Sequence, residues 1–413
     1  MKALFLSMLW PAVACAAACK PQPPKSKAAC KLSALSGVDL SVGFDYEGDC
    51  VPSTGTLNSF MIFVDFSDAE PVQSETPQSL YEALVPRTIE WYKQASYGAL
   101  SLNITADLSK FYRMPTSAAS YGWERGLTWA EHQVYIQDAL DAYTANGTRP
   151  PPPESDVLYV IPVISAGVRG ISRSIAFNTR ANTRQGNYVA RKTVTVATDA
   201  FTTWGPKSWI TLAHETGHTM CMADYYPFEN LGLGYYVGGW SAMGDVSGIG
   251  PDFFAWDKWR LGWINDNSID CVVDRGTSEH TLTPLESKTS DNDTKAVVIA
   301  VNQTSALVAE VRTPEGLDSG VCAPGVLLYT IDALVNSGSG PVRVVDVTPG
   351  SGGCGTDSVY DKNDGTLSLD TGRKLKPLPL VSTPLMSAFE WVEGPDVVKK
   401  MVSYSRWNIL RST

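Results

Sequence analysis

The chain has 413 residues, enough for two packed domains with their own cores and too many for a small disulfide-dependent scaffold. Hydrophobic residues make up 44% and charged residues 18%, a globular and mildly acidic balance. The net charge of -10 argues against nucleic acid as a partner.

Residues 1–18 combine Lys2, an apolar run from Ala3 and the small residues Ala16 to Ala18, the pattern of a cleaved signal peptide. The run is too short for a membrane anchor and Pro11 interrupts it. Lipidation at Cys19 calls for a large aliphatic residue where Ala16 stands. No later stretch reaches the roughly 20 unbroken apolar residues of a membrane span, so the expected location is extracellular. Eight cysteines suit that compartment. Cys15 leaves with the signal peptide, and sequence separation suggests Cys30 with Cys50 and Cys322 with Cys354. The tripeptides at Asn103, Asn146, Asn292 and Asn302 fit a glycoprotein.

Residues 19–55, rich in Pro, Lys, Ser and Gly, read as an irregular leader tied down by a disulfide. A catalytic domain over 56–270 opens with SFMIFVDFSD, residues 59–68, a continuous apolar run typical of a strand buried on both faces. Residues 79–98 place Leu80, Leu84, Ile89 and Tyr92 near helical spacing, with Gly98 as a stop. A strand followed by a helix implies an α/β layer. A second helix is expected over 130–145, ended by four consecutive prolines, and DVLYVIPVI follows as another buried strand. KTVTVAT, residues 192–198, is a candidate sheet edge beside a cleft, just before the helix SWITLAHETGHTM. Phe253, Trp256, Trp259, Leu261 and Trp263 read as the core face of an aromatic helix over 253–264. Residues 271–413 turn to short β runs, among them KAVVIAV, SALVAEVR, GVLLYTID and PVRVVDV, and predict a smaller all-β domain.

Only four histidines occur, and two lie in His214-Glu215-Thr216-Gly217-His218. Residues four apart share one face of a helix, so both imidazoles can reach one ion with Glu215 beside them. That geometry suits Zn2+, which binds neutral imidazole and leaves a position for water when three protein ligands are present. The bland alternative is two ordinary helix-surface histidines. A third ligand is needed, and Asp224 comes within reach only if the chain turns after His218. HETGHTMCMAD resembles the extended metzincin motif, in which the third ligand follows the second histidine by six residues and a glycine permits the turn. Here Cys221 holds the glycine position, as a structural or disulfide-bonded residue or as a thiol near the metal. Glu229 is the rival third ligand. Met243 in GGWSAMGD resembles the Met-turn beneath the metal, and otherwise reads as a core methionine.

The ordered set VDFSD, YKQASYGALSL, HETGHTMCMAD, WSAMGD and AWDKWRLGW resembles the immune inhibitor A family of secreted metzincin peptidases, over residues 56 to 350. The resemblance implies a zincin-like catalytic domain with a twisted mixed sheet and an active-site helix. It implies one catalytic zinc on His214, His218 and Asp224, with Glu215 as base, and cleavage of extracellular proteins or peptides; a monomer is expected. In that reading Glu215 takes a proton from the attacking water and passes it to the departing amine, with Tyr225 and Tyr226 the nearest phenols and packing their expected role. A non-catalytic secreted binding protein and a zinc hydrolase of non-peptide substrates are the alternatives. The TSDNDT loop has the composition of a Ca2+ site or of a solvated turn.

Overall fold

The computed structural model describes residues 27–46, 48–72, 74–123, 127–177, 180–274, 277–287, 290, 293–355, 358–368, 386–392 and 399–406. The signal segment, Cys19, Asn292 and half of the TSDNDT loop lie outside these residues.

The chain folds as a mixed α/β protein. Its first sheet takes β1 (Gly55–Asp65), β2 (Leu100–Ala106), β3 (Tyr112–Arg113), β4 (Ser155–Pro162), β5 (Ile175–Phe177), β6 (Ala181–Asn182) and β7 (Tyr188–Thr195). The order is β2-β1-β4-β7-β5, parallel as far as β7 and closed by the antiparallel β5. β3 pairs β1 and β6 pairs β7. The unbroken apolar run of β1 follows from helices on both faces. Met61 and Phe63 pack toward α1 (Pro77–Ala95), while Phe60, Ile62 and Val64 pack toward α2 (Trp129–Thr144). Capping boxes at Thr76/Ser79 and Thr128/Glu131 start these two helices.

The expected edge strand 192–198 is corrected by this topology. β7 is interior, with β4 on one side and β5 and β6 on the other, and the edge is the three-residue β5. A run that short carries no readable periodicity. The expected helix over 253–264 is also shorter, with α5 confined to Ala255–Arg260, because Gly262 takes φ 75 and stops it. Its aromatics nonetheless fill the core. Between β7 and α5 lie the short α3 (Asp199–Thr202) and the site helix α4 (Trp209–Thr219).

A second mixed sheet begins with β8 (Ile269–Val272). It skips β9 (Thr277–Leu282) and continues with β10 (Ala296–Ala300), β11 (Ser305–Arg312), β12 (Gly325–Asp332), β13 (Val342–Val344) and β14 (Leu367–Ser368). The order is β13-β12-β11-β10-β8, with β14 on β12 and β8 parallel to β10. β9 joins β15 (Met386–Val392) and β16 (Lys399–Arg406) in a separate antiparallel sheet. Val298, Val308, Leu327 and Tyr329 share one core cluster with Leu57, Tyr92 and Trp256, so apolar packing runs continuously between the two large sheets.

The leader is part of that core, with Cys30, Leu32, Val42, Phe44 and Val51 all buried. The Cys30 to Cys50 pairing expected from separation is not formed. Cys30 bonds Cys271 of β8, and Cys50 bonds Cys221, while Cys322 bonds Cys354 as expected. The leader crosses both halves, so its cysteines meet residues distant in sequence rather than each other. Among the described residues no helix is long and apolar enough to cross a membrane.

Arg312 of β11 is fully buried and binds three carboxylates: Glu286 at 3.3 Å, Glu310 at 3.0 Å and Asp318 at 2.5 Å. It also donates to the carbonyls of Trp240 and Gly250, on the segment that supports α4. Burial opposes its charge, but Asp318, Glu310 and Glu286 together raise its pKa above the usual arginine value. Arg312→Met should strand these carboxylates and cost about 3–5 kcal/mol, measured by denaturant unfolding. A loss under about 1 kcal/mol would show that the cluster is not needed for packing.

Candidate functional site

Helix α4 is buried from Ile210 through Thr219. Tyr92 of α1 donates to the Ala213 carbonyl at 2.6 Å, and Tyr159 of β4 meets Thr216 Oγ1 at 2.8 Å. These bonds fix the rotation of α4, so the His214 and His218 face cannot turn away. Gly217 permits the closest support: a Cβ there would stand 2.8 Å from Met243 Sδ. Met243 therefore lies directly against the helix that carries both histidines.

The helix ends in a Schellman turn, with Cys221 N–H donating to the His218 carbonyl and Met222 N–H to the Gly217 carbonyl. Cys221 occupies the left-handed position at φ 64, the conformation glycine adopts without penalty. Its sulfur is bonded to Cys50. Val51 N–H also donates to the Thr219 carbonyl, so the leader holds the turn from outside.

The reversal brings Asp224 back onto the imidazoles. Its Oδ1 stands 3.1 Å from His214 Nε2 and 3.2 Å from His218 Nε2, and the two Nε2 atoms are 3.1 Å apart. All three groups are buried. The Nδ1 atoms are committed elsewhere: His214 Nδ1 lies 2.7 Å from the Ala242 carbonyl and His218 Nδ1 lies 2.8 Å from that of Met222. A carbonyl only accepts, so each Nδ1 carries the hydrogen and each neutral ring turns its Nε2 lone pair inward. Asp224 Oδ1 accordingly has no hydrogen-bond partner. One possible ligand atom from each of the three residues thus meets the others at one buried point. Ligands about 2.0–2.1 Å from a tetrahedral ion stand roughly 3.3 Å apart, close to the triangle observed.

Burial disfavours a charged His218, yet the facing Asp224 outweighs it and raises its pKa. Burial likewise opposes the Asp224 charge, but His218 and His214 hold its carboxyl well below the usual range. Burial pushes the Glu215 carboxyl up to about 8, with His214 opposing and Asp224 and Asp199 adding to the rise. A carboxyl with that pKa can hold or release a proton near neutrality.

His214 and Glu215 open onto a cleft of about 650 Å³. Its walls include Ser172, Arg173 and Ser174 leading into β5, Asp199 at the start of α3, and Tyr226 to Leu233 opposite. Glu229 is an exposed wall residue outside the cluster of His214, His218 and Asp224. Tyr226 borders the cleft, its ring 6.0 Å from that of His214. Tyr225 points the other way, fully buried and donating to Asp257 at 2.6 Å. Sequence reading missed the orienting carbonyls of Ala242 and Met222, and it missed Ser337, whose hydroxyl accepts the Asp224 N–H at 2.9 Å. Backbone acceptors leave no residue-type signal, and Ser337 lies 113 residues from its partner.

Comparison with protein-family models and with curated proteins finds no match to this chain. The reading of the site therefore rests on its geometry and on the residues themselves.

Cys50→Ala should cost about 2–5 kcal/mol in denaturant unfolding, because it frees the turn and lengthens the unfolded chain's reach. Cys221→Gly in that background should recover about 1 kcal/mol by removing the strain of a side chain at φ 64. No recovery would mean that the disulfide, and not the glycine-like conformation, sets the turn's stability.

Burial also raises the Asp257 carboxyl to about 7, against Arg260 and the Tyr225 hydroxyl. The unfolded value is about 3.9, so between these values the folded state binds more protons than the unfolded one. The contribution of Asp257 is full below about pH 4 and is lost as pH rises through about 7. Wild type should accordingly lose stability relative to Asp257→Asn across that window; a constant difference would place the titration elsewhere.

Proposed function

We propose that the chain is a secreted zinc-dependent endopeptidase of the metzincin kind, similar to the immune inhibitor A family. The observation that carries this reading is the triangle of His214 Nε2, His218 Nε2 and Asp224 Oδ1, with Glu215 beside it in the same cleft. Two imidazoles and a carboxylate match the donor set of a catalytic zinc site, and His214 and Glu215 open onto the cleft. The helix with histidines four apart, the turn, the aspartate and Met243 against Gly217 support the metzincin assignment. The three disulfides and the signal-like segment support export.

Zinc, when bound, would acidify water and polarise the scissile carbonyl. Glu215 accepts the proton as water attacks the carbonyl carbon, and returns it to the amine nitrogen as the C–N bond breaks. His214 and His218 keep their Nε2 lone pairs inward because Ala242 and Met222 hold the opposite ring nitrogens. Among the described residues β5 pairs only with β7, leaving a free sheet edge beside the cleft. An extended peptide can add to such an edge through main-chain hydrogen bonds, which favours a polypeptide over a compact substrate.

Casein digestion by the purified chain should be abolished by a chelator and restored by zinc. Glu215→Gln should bind zinc as wild type does while losing at least about 10²-fold in turnover. Chelator-insensitive cleavage, or full activity in the variant, would sink the proposal.

A further inference from the structure

The Asp224 ligand is held from the far half of the chain. Ser337 lies in the loop between β12 and β13 and is 4% exposed. Its Oγ accepts the Asp224 N–H at 2.9 Å and faces Asp224 Oδ2 at 3.4 Å. The next residue, Gly338, donates its N–H to the Asp224 carbonyl at 3.0 Å. Oδ1 turns to the imidazoles and Oδ2 to the hydroxyl, so the carboxylate plane is set from both sides. The terminal torsion of an aspartate is otherwise broad, and one fixed hydroxyl is enough to choose an orientation.

The loop is itself braced. Ser337 N–H donates to the Asp39 carbonyl at 3.1 Å, and Asp39 N–H donates to Asn336 Oδ1 at 2.9 Å. Ser41 Oγ donates to the Ala333 carbonyl at 3.0 Å. Leader and loop therefore grip each other immediately behind the ligand. The same loop holds Phe228, between the cleft residues Pro227 and Glu229: Phe228 N–H donates to the Gly338 carbonyl, and the Phe228 ring lies so close that a Cβ on Gly338 would be 2.3 Å from it.

We propose that Ser337 is a positioning residue for the third metal ligand, and that the β-rich half thereby completes the metal centre. The inference rests on the zinc reading of the site. It gives the second sheet a role in the chemistry that packing alone would not require, since a structural partner needs no hydroxyl aimed at Asp224. Ser337 touches neither the scissile bond nor the ion, and acts only through the carboxylate it orients.

The test measures zinc affinity of the full chain by competition with a chromophoric chelator, with the melting temperature of the metal-free protein as the control for folding. Ser337→Ala should weaken zinc binding by about 10- to 100-fold, the usual effect of losing a group that orients a ligand. Ser337→Thr, which keeps the hydroxyl, should recover most of that loss. A purely structural role would lower the metal-free melting temperature and leave the affinity of the folded protein unchanged. An alanine variant that binds zinc within about twofold of wild type overturns the inference while leaving the zinc site itself intact. Wild type that binds no zinc overturns the reading beneath it instead. Should Ser337→Ala fail to fold, Asn336→Ala, which removes the acceptor of the Asp39 amide, is judged by the same two outcomes.

Discussion

Cys221 stands at φ 64, where an L-residue is strained by roughly 1–2 kcal/mol, and the chain beyond it can return to the helix it has left only because of that conformation. An extended continuation of α4 would carry Asp224 away from His214 and His218. The reversed chain places a carboxylate oxygen 3.1 and 3.2 Å from two imidazole nitrogens. Met222, which follows the turn, also supplies the carbonyl that orients His218. One backbone reversal thus sets both the third donor and the tautomer of the second. The covalent bond from Cys50 holds the turn where glycine would leave it free.

Around this turn the support is polar as well as apolar. Met243 presses on Gly217 from below, Ala242 fixes His214, and Tyr225 N–H donates to the Met243 carbonyl. The segment that does this work is tied to the second sheet by Arg312, through the Trp240 and Gly250 carbonyls. Three carboxylates around one guanidinium would be unfavourable in a dry interior without further donors. Glu310 also accepts from the Ala255 N–H and the Tyr329 hydroxyl, and Asp318 from the Asp252 N–H. These donors and Arg312 offset part of the cost of burial, which still raises the Glu310 carboxyl and takes that of Asp318 up to about 7.

Much of this was legible in the sequence, and what was not has a physical cause. The α/β layering could be read because β1 from Phe60 to Val64 and β4 from Val157 to Pro162 are continuously apolar, as a sheet covered on both faces requires. The histidines of α4 could be read because helical spacing puts positions 214 and 218 on one face. Asp224 needed the resemblance, since no periodicity crosses a turn. The pairing of Cys30 with Cys271 and of Cys50 with Cys221 was invisible, because loop length favours near neighbours and the core decides otherwise. β5 was too short to show alternation. The leader looked irregular from its prolines and lysines, while Leu32, Val42 and Phe44 are too widely spaced to form a pattern and still reach the core. Ser337 meets Asp224 only through the tertiary fold.

The two crossing bridges of the leader also bear on how the protein comes to be made. They span 241 and 171 residues, whereas Cys30 is the cysteine nearest to Cys50 along the unfolded chain. Each doubling of loop length adds about 0.6 kcal/mol to the cost of closure, so oxidation before collapse favours the wrong local loop. That loop would keep Cys50 from Cys221 and leave the turn unsecured. Correct maturation therefore demands that both sheets assemble around the leader first, or that thiol exchange remain open until they do. The native pairs therefore form most readily where disulfide isomerisation accompanies oxidation.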